Sequence, residues 1–208
     1  MKYDSKIHKR KSIQLKNYDY SQAGLYFITI CSQNRECFFG NIENGEMSLN
    51  DAGHMVSNQR LDLPKRFEHI ELCEYVVMPN HFHGIIHRRG EPCVRPDNSC
   101  VRPDNSRQHQ KMANTCTTEH KGEHKVRPYP IPNGTSDGSI GRIIQAFKSF
   151  TTNEYIRGVK QNNWRRFDKK LWQRNYYEHV IRDNESYRHI SEYIQNNPLK
   201  WREDKYYG

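Results

Sequence analysis

Ile70-Glu71-Leu72-Cys73-Glu74-Tyr75-Val76-Val77-Met78-Pro79-Asn80-His81-Phe82-His83-Gly84-Ile85-Ile86-His87 consists of two runs of β-forming residues on either side of Pro79-Asn80. Each run is long enough for a strand, and Pro79 breaks the first. So short a connection joins two strands as an antiparallel hairpin, which predicts a mainly antiparallel sheet. The second strand carries His81 and His83. Their i, i+2 spacing sends both imidazoles to one face and Phe82 to the other. Two imidazoles fixed in this way can share one divalent ion; they can equally be two unrelated core or surface histidines. His87 shares their face but lies farther along, and it reads as an exposed strand-end histidine rather than a third ligand.

Working outward, Gly24-Leu25-Tyr26-Phe27-Ile28-Thr29-Ile30-Cys31 predicts another buried strand. Cys37-Phe38-Phe39-Gly40-Asn41-Ile42 and Met47-Ser48-Leu49 flank Asn44-Gly45, a hairpin-turn dipeptide. Asn50 or Asp51 can cap a helix running to about Leu61 and ending before Pro64. Farther on, Ile140, Ile143, Ile144, Phe147 and Phe150 fall on one helical face. Residues 171–181 carry a mixed pattern. A last helix begins near Asp183-Asn184-Glu185, runs through Tyr187, Ile190 and Ile194, and is ended by Pro198. Strands, a helix, two strands and then helices make an α+β chain.

Residues 90–138 differ in kind. Cys93-Val94-Arg95-Pro96-Asp97-Asn98-Ser99 is followed at once by Cys100-Val101-Arg102-Pro103-Asp104-Asn105-Ser106, and Val126-Arg127-Pro128 returns later. Aliphatic residues are too sparse there to offset the ordering entropy. The segment is expected to be a flexible low-complexity insertion, with 1–89 and 139–208 forming a single discontinuous domain. Cys93, Cys100 and Cys116 with His109, His120 and His124 suggest a zinc site, but their spacings match no compact zinc module.

The chain has 208 residues, with 33 Lys and Arg against 24 acids, for a formal charge of +9. That field favours a polyanionic partner. No apolar run is long enough to span a bilayer and no secretory leader is evident, so a soluble, cytoplasmic protein with nucleic acid as its polyanion is expected. In that setting the six cysteines do not read as a disulfide framework. Lys148, Arg142, Arg174 and Arg182 are candidate phosphate contacts or solvated helix faces. The basic arm 1–20 carries the same two readings.

His189, Tyr193 and Asn197 recur every four residues, so they stack along one side of the last helix, next to its apolar stripe. A tyrosine there is either a core-edge residue or a group held rigidly toward a cleft. A phenol that loses its proton attacks phosphorus, and its ester can be attacked in turn. A divalent ion assists by neutralising phosphate charge. Tyr176 and Tyr177 are rival nucleophiles; they read equally well as core aromatics or base-stacking surfaces.

Tyr75-Val76-Val77-Met78-Pro79-Asn80-His81-Phe82-His83-Gly84-Ile85-Ile86 and Glu192-Tyr193-Ile194-Gln195-Asn196-Asn197-Pro198-Leu199-Lys200 resemble the two signature blocks of the REP-associated tyrosine transposases, within the single-tyrosine His-hydrophobe-His superfamily. Trp172-Gln173-Arg174-Asn175-Tyr176-Tyr177-Glu178-His179-Val180-Ile181-Arg182 resembles the block before their catalytic helix, and residues 11–21 resemble the opening of one branch. The resemblance covers nearly everything outside 90–138. It implies a ferredoxin-like antiparallel sheet with helices on one side. It also implies cleavage and rejoining of single-stranded DNA near hairpins through a 5′-phosphotyrosine intermediate, with Mg²⁺ or Mn²⁺. On that resemblance His81 and His83 are metal ligands, Tyr193 is the nucleophile and Asn197 stands where relatives place a polar third ligand. Relatives further imply a monomer acting in cis, while smaller ones form homodimers that exchange helices. Two other readings stay open: a domesticated protein that binds DNA hairpins without cleaving, and a metallohydrolase.

Overall fold

The structure, a computed structural model, describes residues 20, 22–89 and 138–207. The expectations for the basic arm, most of the insertion and its zinc suggestion lie outside these residues.

β1 (Gly24–Cys31), β4 (Ile70–Val77), β5 (His81–Arg88) and β6 (Tyr177–Ile181) form one sheet in the order β4-β5-β1-β6, with every neighbouring pair antiparallel. β2 (Gly40–Glu43) and β3 (Glu46–Leu49) form a separate hairpin, in which Asn44 and Gly45 both adopt positive φ, as its two-residue turn requires. α1 (Asp51–Leu61) links β1 to β4, and α3 (Ile140–Gln161) links β5 to β6. A four-residue helix, α2 (Leu63–Arg66), and the C-terminal α4 (Asn184–Asn196) complete the elements. With the small hairpin set aside, this is the βαββαβ ferredoxin-like arrangement.

Local chemistry sets the boundaries. Asn50 accepts from the Gly53 amide, Ser139 from that of Arg142 and Asp183 from that of Ser186, so each longer helix begins at a side-chain cap. A bulge between Leu72 and Tyr75 interrupts the β4–β5 ladder. The buried Arg60 guanidinium, in the last turn of α1, donates to the Cys73 carbonyl there and lies 4.0 Å from the centre of the Tyr75 ring.

Alternation along the strands divides the core in two. Tyr26, Ile28, Ile30, Phe82 and Ile86 pack against Ile140, Ile143, Ile144 and Phe147 of α3 and against α1. Phe27, Ile85 and Ile181 point the other way, onto Ile194 of α4. The two crossover helices therefore share one side, as expected, while α4 covers the opposite face. Residues 177–181 are also corrected, from a mixed region leading into helices to an edge strand. Polar and apolar residues alternate on both of its faces, Tyr177, His179 and Ile181 on one and Glu178 and Val180 on the other, so no clean period of two was visible.

Candidate metal and nucleophile site

His81 and His83 lie on the α4 face of β5, and both are fully buried. The Asn80 side-chain amide donates to the carbonyls of Arg35 (3.0 Å) and Tyr206 (2.9 Å), which turns its oxygen toward His81 Nδ1 at 2.8 Å. That oxygen can only accept, so the proton belongs on Nδ1 and Nε2 carries the free lone pair. His81 Nε2 is buried and has no hydrogen-bond partner in the structure. His83 sits opposite Thr29 of β1, whose hydroxyl lies 2.8 Å from His83 Nδ1. His83 Nε2 is thereby left facing the cleft, 3.3 Å from the Tyr193 hydroxyl.

Tyr193 is brought to this point by α4. Ile190 and Ile194 dock the helix on Phe27, Ile85 and Ile181, and the Tyr187 hydroxyl donates to Glu74 of β4 at 2.7 Å. Phe27 is the common neighbour: it stacks on His83 with ring centres 5.4 Å apart and receives Tyr193 edge-on at 6.2 Å. The Tyr193 hydroxyl donates to Asp204 Oδ2 at 3.2 Å, and Asn197 Nδ2 donates to the same oxygen at 2.7 Å. Asn197 Oδ1, like His81 Nε2, is buried without a partner.

Asp204 is the residue that the sequence did not announce. A short 3-10 turn, Trp201–Glu203, returns the chain to the site, where Asp204 Oδ1 accepts from the Tyr206 amide at 2.6 Å. Ligand atoms of His81, His83 and Asp204 lie within 4.8 Å of one another, so this group could hold a metal ion. The chemistry fits a divalent cation: two neutral imidazoles, a carboxylate and an adjacent amide oxygen, with bare buried acceptors on His81 and Asn197. Tyr206 packs its ring near both imidazoles, 4.9 Å from His81 and 5.7 Å from His83.

Burial is the main influence on charge. It pulls His81 down to about 4, against the opposing pull of Asp204, and with His81 and Lys205 it holds His83 well below the ordinary histidine value. Both imidazoles are therefore neutral at pH 7, the form that binds metal. Burial, followed by the Asp204 carboxylate, raises the Tyr193 phenol, so it rests protonated.

The structure thus assembles His81, His83, Tyr193 and Asn197 and adds Asp204. His189 lies outside the group, exposed beside Glu185. His87 is not the exposed strand-end residue expected: its side chain is only 12% exposed and is engaged by Glu71 at 2.8 Å, away from the pair. Tyr176 packs against the core on the α3 side. The predicted basic residues are scattered. Lys148 donates to the carbonyls of Gln173, Arg174 and Asn175 at 2.9 to 3.2 Å, which uses all three of its protons on a loop rather than on a phosphate. Arg174 is exposed at the histidine end of β6, whereas Arg182 follows the opposite end and Arg142 lies in the first turn of α3. Arg35 and Lys205, close enough to His81 to depress it, were not singled out by the sequence.

No protein-family model matches the chain. It is 39% identical over 209 residues to an uncharacterized protein of Haemophilus influenzae (strain Rd), covering 99% of this chain and 97% of that protein, and the two belong to one family. A solved structure of a REP-associated tyrosine transposase bound to a REP hairpin matches with a TM-score of 0.53 at 18% identity, covering 90% of this chain and 74% of that one. This chain has the REP-associated tyrosine transposase fold. In this transposase fold the sheet presents the histidine pair and α4 presents the tyrosine, so Tyr193 meets His83 of its own chain. None of the described helices is long and apolar enough to cross a membrane.

Proposed function

We propose that this chain is a metal-dependent, transposase-like endonuclease and strand transferase that cleaves and rejoins single-stranded DNA near hairpins. The observation that carries the reading is the Tyr193 hydroxyl, 3.3 Å from His83 Nε2 and hydrogen-bonded to Asp204, beside the buried His81. His81, His83 and Asp204 would hold Mg²⁺ or Mn²⁺, with the Asn197 oxygen adjoining; such an ion neutralises charge on the scissile phosphate. Tyr193 supplies the nucleophile. Its oxygen forms a bond to phosphorus as the bond from phosphorus to the 3′-oxygen breaks, and that oxygen takes up a proton from water and leaves as a 3′-hydroxyl. The phenol proton departs along the hydrogen bond to Asp204. Attack by another 3′-hydroxyl on the 5′-phosphotyrosine regenerates Tyr193 and joins the new strand. Because both halves of the site come from one chain, a monomer acting in cis suffices, and a mass measurement in solution tests this against a homodimer.

A hairpin DNA with an unpaired flank, incubated with Mn²⁺, should give a covalent adduct that survives denaturation. Tyr193→Phe should give none. Persistence of the adduct in that variant would overturn the assignment. One arrangement favours the non-cleaving hairpin binder as a second reading: the Tyr206 ring lies near both imidazoles while burial, followed by the Asp204 carboxylate, keeps the Tyr193 phenol protonated. Tight hairpin binding by the wild type with no adduct on any hairpin would select it.

A further inference from the structure

Beside the nucleophile, on the α4 face of the sheet, a second phenol is unexplained by the strand-transfer chemistry. Tyr177 is the first residue of edge strand β6 and pairs with Thr29, which places its side chain on the face that carries His83. It is 38% exposed, close to the 39% of Tyr193. Both rings meet Phe27 edge-on, Tyr177 at 6.3 Å and Tyr193 at 6.2 Å, so one buried ring contacts two exposed phenols. The Lys205 ammonium lies 5.0 Å from the centre of the Tyr177 ring and 4.8 Å from that of Tyr206. It forms no ion pair among the described residues. A partly exposed aromatic ring with a cation on one side, near the proposed nucleophile, has the chemistry of a single-strand binding step: a base stacks on the side of the ring away from the ammonium and a neighbouring phosphate meets the ammonium.

We propose that Tyr177 and Lys205 bind the nucleotide adjoining the scissile phosphate, Tyr177 by stacking on an unpaired base and Lys205 by neutralising a neighbouring phosphate. This rests on the single-strand transferase reading. Shielding of Phe27 is the competing role for Tyr177, and the two roles separate experimentally because leucine preserves an apolar cover and removes the aromatic face.

The test measures binding of hairpin DNA with an unpaired flank, in a Tyr193→Phe background so that no strand is cut, with melting temperatures confirming that each variant folds. Tyr177→Leu should weaken binding about tenfold, the scale of one lost stacking contact, and Tyr177→Phe should change it less than about twofold. Abasic substitutions along the flank should locate one position at which the Tyr177→Phe protein loses the same affinity while the Tyr177→Leu protein is indifferent. Lys205→Gln should flatten the dependence of log affinity on log salt by about 0.7, the value for one single-strand phosphate contact. Equal affinities for Tyr177→Leu and Tyr177→Phe, or no abasic position that distinguishes them, overturn the proposal while leaving the transferase reading intact. Failure of the wild type to bind or cut any such DNA removes the transferase reading and this proposal with it.

Discussion

His81 shows how one buried side chain in a candidate metal site also carries a stability cost. Its ordinary value of 6.5 falls to about 4 in the folded protein because burial disfavours the charged ring. Between those values the unfolded chain binds a proton that the native state refuses, so stability rises with pH across this window and is lost as the pH falls through it. In EDTA, the urea midpoint should drop between pH 6.5 and 4, with up to about 3 kcal/mol attributable to this ring. A midpoint that does not move would contradict the burial of a neutral imidazole. Metal affinity tests the rest of the centre. Asp204→Ala should weaken Mn²⁺ binding by about 10- to 100-fold in titration calorimetry, and more than Asn197→Ala, since only the carboxylate brings charge. Periodicity put the two histidines on one strand face and Tyr193 with Asn197 on one side of the last helix, but it was the resemblance of their blocks to the transposase signatures that singled them out as a site. Asp204, Thr29 and Asn80 were not legible in this way. Asp204 arrives through a short turn with no periodic signal, and Thr29 and Asn80 matter only through a register and an amide orientation that the folded sheet alone defines.

At the scale of elements, the strands and capped helices announced themselves through β-branched runs, apolar stripes and Asn or Asp caps. β6 did not. An edge strand needs only one partner, and Tyr177 through Ile181 mixes polar and apolar residues on both faces. α3 illustrates a tighter constraint. Gly158 lies in its last turns, where an added Cβ would overlap the Trp164 indole. Alanine gains about 1 kcal/mol of helix propensity, but overpacking against a ring costs about 1–3 kcal/mol. Gly158→Ala should therefore destabilise the protein in chemical denaturation, against the propensity scale. A stabilised variant would show that Trp164 moves aside freely. α4 carries its own lesson. Its stripe predicted docking, but nothing in a single helix says which face of a sheet receives it; that choice follows from Phe27, Ile85 and Ile181 all projecting away from α3.

Across the whole molecule, both flanks of the insertion contribute to one core, with Ile140, Ile143 and Ile144 packed on strands that precede residue 90. The two ends of the excursion meet at one corner. The Arg89 amide donates to the His69 carbonyl at 2.7 Å, while Arg88 Nε donates to the Gly138 carbonyl at 2.8 Å and the His69 ring reaches the same carbonyl at 3.2 Å. That corner lies at the far end of β5 from His81. Replacing residues 90–137 with a short Gly-Ser linker should leave the melting temperature within a few degrees and Mn²⁺ affinity unchanged, by calorimetry. A collapse of either would show that the segment supports the core. The corner also bears on how such a chain tolerates growth. Closing a loop costs only about 0.6 kcal/mol for each doubling of its length, so a staple of two backbone carbonyls makes this corner a permissive port. Duplicated heptapeptides can accumulate there at little thermodynamic cost, and a fluorescent or affinity module spliced at the same place would test the proposed DNA engagement from the end of the sheet remote from His81.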